Sequence, residues 1–101
     1  MDETRMINAI REYIADLGEP ESGWPAKEFN RVSYSNWAAT EILAMVLAHA
    51  DWTPMRAVEE FKTMVAPYGW RNSYNTDANE IFRTAYQVAC DISDILYAMN
   101  Y

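Results

Sequence analysis

A single cysteine, Cys90, and a single histidine, His49, are all that the chain has of either residue. No internal disulfide can form, a structural zinc site has too few ligands, and the lone thiol suits a reducing cell interior. Glycine is nearly as scarce: Gly18, Gly23 and Gly69 stand apart and compose no phosphate-cradling loop, and no hydrolytic serine motif is present. Positive charge is thin, with 8 Lys and Arg against 15 Asp and Glu for a formal net charge of -7. The summed field of such a chain repels phosphate backbones, so direct nucleic-acid binding is not expected. Long apolar runs are missing too. The most apolar stretch, Ala38 to Ala50, contains Glu41 and His49 and falls short of the ~20 residues a bilayer-crossing helix needs. The first eighteen residues carry charges throughout and lack the apolar centre of a signal peptide, which points to a cytoplasmic protein.

Half of the 101 residues are hydrophobic and 14% are aromatic, too apolar for a disordered chain and enough for one globular domain over residues 1–101. Met6, Ile7, Ile10, Ile14 and Leu17 recur at helical spacing ahead of Gly18, which predicts a first helix over 3–17 with a left-handed glycine cap. A second helix is expected to open after Ser33 or Ser35. It is apolar almost all round, with only Thr40, Glu41, Ala44 and Ala48 as a small or polar strip, and it is expected at the centre of the fold with Trp37 inside. Thr53-Pro54 has the form of a cap followed by a first helical residue, predicting a third helix from Pro54 to about Val65, ended by Pro67 and Gly69. Asp77 and Glu80 resemble a capping box opening a long fourth helix that reaches about Met99. The expected architecture is all-α, a compact four-helix domain with a long C-terminal helix and an aromatic-rich loop between helices 1 and 2.

That loop, SGWPAKEFNRVSYSNW from 22 to 37, and a second one, YGWRNSYNT from 68 to 76, hold aromatics where connections usually hold small polar residues. The first is expected to fold over the bundle as a lid, with Phe29, Val32 and Tyr34 inward and Lys27 and Arg31 answering nearby carboxylates. Trp and Arg dominate the energetics of protein interfaces, and Trp24, Trp70 and Arg71 lie beside Gly23 and Gly69, so these three are the candidate anchors; Trp52, like Trp37, reads as core. Helix 4 adds a stripe of Glu80, Thr84, Gln87, Asp91 and Asp94 at helical spacing, of which Glu80, Asp91 and Asp94 are the candidate charged contacts to a basic partner.

Chemistry-bearing alternatives are few. Cys90 and His49 supply the two members of a nucleophilic dyad, but Cys90 sits among Val88, Ala89 and Ile92, where cysteine behaves as a small apolar residue, and His49 falls at a helix end. The pairs Glu12 with Asp16 and Asp91 with Asp94 share helix faces without a loop of alternating acidic ligands, so no metal and no cofactor are expected. A polar pocket among Tyr13, His49, Tyr86 and Cys90 is the site a small ligand-binding or enzymatic bundle would use.

YSNWAATEIL (34–43), taken with IFRTAYQVACDISDIL (81–96), resembles the short acidic accessory proteins often encoded by phages and other mobile elements. The likeness rests on Asn36-Trp37 opening an apolar helix and on a closing helix of small residues and aspartates. No residue role transfers from it. It implies an accessory role on a mobile element, including inhibition of host defence by anti-CRISPR or anti-restriction action. The expected function is therefore a non-enzymatic protein-binding module with an acidic, aromatic-anchored surface for a basic, nucleic-acid-binding protein. The alternatives are a homo-oligomeric assembly protein joined through an apolar face, and the small ligand-binding bundle.

Overall fold

In a computed structural model, which describes the backbone of residues 3–69 and 76–100 and the side chains of 3–66 and 80–99, the described chain is four α-helices with no strand. They are α1 (Glu3–Leu17), α2 (Ala26–Ala48), α3 (Pro54–Gly69) and α4 (Thr76–Asn100). The long α4 packs most extensively on α3, then on α2 and α1, and α2 in turn touches all three other helices. The radius of gyration, 14.0 Å, is near the ~13 Å of a compact chain of this length. No helix among the described residues is long and apolar enough to cross a membrane.

One core runs through all four helices. Met6 and Ile10 enter it from α1, Ile42 and Val46 from α2, Val58, Phe61 and Val65 from α3, and Val88, Ile92 and Leu96 from α4. Ala38, Ala39, Ala57, Ala85 and Ala89 have no exposed surface at all, so three helices meet through methyl groups.

The helix ends follow their local chemistry. Gly18 takes φ 67°, and its N–H donates to the Ala15 carbonyl at 3.2 Å. A Cβ there would meet nothing, so the left-handed backbone alone selects glycine. At α3, the Arg56 N–H donates to Thr53 Oγ1 at 3.1 Å, Pro54 is fully buried at the first turn, and the Ala57 N–H reaches the Thr53 carbonyl at 3.1 Å.

Two boundaries differ from the sequence reading. The second helix begins at Ala26, so residues 26–35 of the expected loop are helical, and Ser33 and Ser35 are interior positions of α2. Pro25, at φ -54° and ψ 143°, sets the entry, and Ala26, Lys27, Glu28 and Arg31 are good helix formers, with Glu28 favourable to the dipole of the first turn. Most of 26–31 faces solvent, so no apolar period marked it as helix. Phe29, Val32 and Tyr34 are half-buried, and neither Lys27 nor Arg31 enters an ion pair among the described residues, so the expected answer to nearby carboxylates is not made there. The third helix runs through Pro67 to Gly69. A proline in the last turn forgoes a single backbone bond, which is not enough to end the helix at 65.

Leu96→Ala removes a fully buried side chain from the face of α4 that the other helices share. It is expected to cost about 2–5 kcal/mol in urea unfolding. Leu47→Ala, at a position 55% exposed, should stay within about 0.5 kcal/mol of the parent.

Candidate partner-binding surface

The connection from Gly18 to Pro25 carries the chain from the end of α1 to the start of α2. Glu21 to Trp24 close a turn, the Trp24 N–H donating to the Glu21 carbonyl at 3.0 Å, and Trp24 stands 36% exposed. The connection is tied to α2 by the Asn36 side chain, whose Nδ2 donates to the Gly18 carbonyl at 2.9 Å and so satisfies an acceptor left free beyond the helix end. Thr40, one turn further along α2, donates its hydroxyl to Asn36 Oδ1 at 3.4 Å.

Beside this junction lies an open cavity of about 460 Å³ lined by Glu19, Pro20, Ser33, Asn36, Trp37 and Thr40. Trp37, expected in the core, is 42% exposed on its rim. Its ring lies 6.4 Å from Phe61, tilted by 57°, and 6.5 Å from Phe82 in an edge arrangement at 78°. Such pairs contribute beyond area burial and hold the indole as a backed platform. The position was readable: Trp37 falls on the helical strip of Glu41, Ala44 and Ala48, and all four are exposed.

The acidic stripe of α4 divides. Glu80 and Asp94 are exposed, and neither is in an ion pair among the described residues. Asp91 is half-buried and occupied: Tyr13 Oη donates to its Oδ2 at 3.3 Å and Gln87 Nε2 to its Oδ1 at 3.0 Å. Its charge therefore serves the α1–α4 contact as well as any outside surface. Trp70 and Arg71 lie outside the described residues.

Trp52, also expected inside, is half-buried at the α2–α3 turn. The His49 imidazole stacks on it, centroids 3.8 Å apart and 11° from parallel, and the Arg56 guanidinium lies over the ring at 5.0 Å. His49 ends α2, its N–H donating to the Met45 carbonyl at 3.2 Å. No hydrogen bond joins His49 to Cys90 among the described residues. A cavity of about 450 Å³ between α1 and α4 is lined by Arg5, Asn8, Ala9, Glu12, Ile95 and Met99, and involves none of Tyr13, His49, Tyr86 or Cys90. The described residues hold no group of three or more His, Cys, Asp or Glu placed to bind a metal ion. No family model, curated protein or solved structure matches the chain.

Burial, and then the charge and hydrogen bond of Asp91, push the Tyr13 phenol up to about 12. The fold thus retains a proton that the unfolded chain releases near pH 10, so this contribution to stability is present below pH 10 and lost as pH rises to 12. Absorbance titration at 295 nm should show one of the seven tyrosines ionising late. Asp91→Asn should move that step down toward the ordinary phenol range.

Proposed function

We propose that the chain is a non-enzymatic protein-binding module that works in the cytoplasm by occupying a basic surface of another protein. The observation that carries this reading is Trp37: a large ring held at the surface against Phe61 and Phe82, on the rim of an open cavity. A ring with a rigid backing meets a partner at little entropic cost, and tryptophan is the residue most enriched at interface hot spots. Trp24 supplies a second exposed ring. Glu80 and Asp94, within a net charge of -7, supply the steering field. The partner class this favours is a nucleic-acid-binding protein. The resemblance to accessory proteins of phages and mobile elements makes a host defence nuclease, of CRISPR or restriction type, the first to test.

In titrations against a panel of such nucleases, the wild-type chain should form a complex that weakens with salt and competes with DNA. Trp37→Ala should lose about 2 kcal/mol of binding, roughly 30-fold. Trp37→Phe should lose less, and circular dichroism should report equal helicity for all three proteins. A folded wild type that binds no member of the panel would remove the inhibitor reading.

A second reading, self-assembly, is favoured by Trp37, Ala44, Leu47 and Ala48, which share the outer side of α2 with only Thr40 and Glu41 as polar neighbours. Light scattering decides it: an assembly through this side should dissociate on Leu47→Glu, and a wild type that is monomeric at all concentrations excludes it.

A further inference from the structure

The cavity at the α1–α2 junction has a chemical bias that its shape does not reveal. The Gly18 carbonyl can only accept, so the Asn36 amide nitrogen must face it, and one of its two hydrogens is spent there. The Thr40 hydroxyl proton is spent on Asn36 Oδ1. Pro20 has no N–H to offer. What remains toward the cavity offers oxygen lone pairs from the Glu19 carboxylate, which is exposed and in no ion pair among the described residues, from Thr40 and from Ser33, beside donors in the second Asn36 amide hydrogen, the Ser33 hydroxyl and the Trp37 indole N–H, and its one formal charge is negative. Against these stands the indole of Trp37, and no cationic side chain among the described residues lines the space.

One carboxylate beside hydroxyl oxygens and an aromatic face favours a planar, donor-rich cation. The guanidinium group fits: it has five N–H donors and no acceptor, is less strongly hydrated than an ammonium, and stacks on indole. The space is an open surface depression of about 460 Å³, which suits one extended side chain lying against the surface rather than a folded element. The α1–α4 cavity has no such bias, since Arg5 and Glu12 line it together.

We propose that this cavity receives an arginine side chain of the partner protein, its guanidinium lying on Trp37 and donating to the Glu19 carboxylate and to the Ser33 and Thr40 oxygens. The proposal rests on the binding-module reading and specifies the chemistry of the partner. Arginine is favoured over lysine here because the site pairs a carboxylate with an extended ring face.

The test is a titration of the ¹⁵N-labelled chain with an acetylated, amidated Gly-Arg-Gly-Arg-Gly peptide, beside twins carrying lysine or citrulline for arginine. The readout is the Trp37 indole N–H resonance, assigned with Trp37→Phe. The arginine peptide should shift it saturably, the lysine twin several-fold more weakly, and the neutral, isosteric citrulline twin about tenfold more weakly or not at all. Glu19→Gln, at an exposed position that leaves the core intact, should weaken the arginine peptide roughly three- to tenfold. Absence of a Trp37 shift up to about 10 mM peptide, equal binding of the citrulline twin, or an unchanged affinity in Glu19→Gln would each overturn the proposal. The titration needs no natural partner, so its failure leaves the binding-module reading to the nuclease panel, and failure of the panel leaves the arginine site standing.

Discussion

How close the helices come is set by alanine. Five alanines on α2, α3 and α4 are wholly buried, and a methyl group at a crossing lets two backbones approach nearer than a leucine would. With Ala38 and Ala39 taking the inward positions immediately after it, Trp37 is turned to the rim, where Phe61 and Phe82 meet its ring. The exposed aromatic thus stands against the buried ring of Phe61 and the half-buried ring of Phe82.

The polar half of the same region depends on one side chain. Asn36 joins the end of α1 to the middle of α2 and, in doing so, fixes which of its own atoms and of Thr40's face the cavity. A hydrogen bond of this kind contributes only about 0.5–1.5 kcal/mol. Its larger effect is directional, since it turns the Asn36 nitrogen toward Gly18 and its oxygen toward Thr40.

Periodicity made most of the fold legible. Helices α1 and α4 were readable at nearly their observed limits because their apolar residues recur on one side, and Thr53-Pro54 marked the start of α3 by cap chemistry alone. The start of α2 was not legible: residues 26–31 are mostly solvated, so their helicity comes from propensity, a weaker signal than burial. Of the candidate surface, Trp24, Glu80 and Asp94 are exposed. Trp37 was misplaced because an apolar residue on a largely apolar helix was assigned by type rather than by its angle beside Glu41 and Ala44. Tyr13 on Asp91 joins residues 78 positions apart, and Asn36 reaches the carbonyl of Gly18 across a connection whose path local pattern does not specify.

In the first turns of α2, Ala26, Lys27, Glu28, Asn30 and Arg31 are all exposed and Phe29 alone is partly covered. Little buried area holds them, so their backbone amides should fray at a free-energy cost far below that of opening the core. Deuterium should enter them early, while Ala38, Ala39 and Ile42 on the same helix stay protected. On that expectation one continuous helix joins a yielding arm to a fixed shaft, and Ser33 to Trp37 lie between the exposed turns and the buried ones.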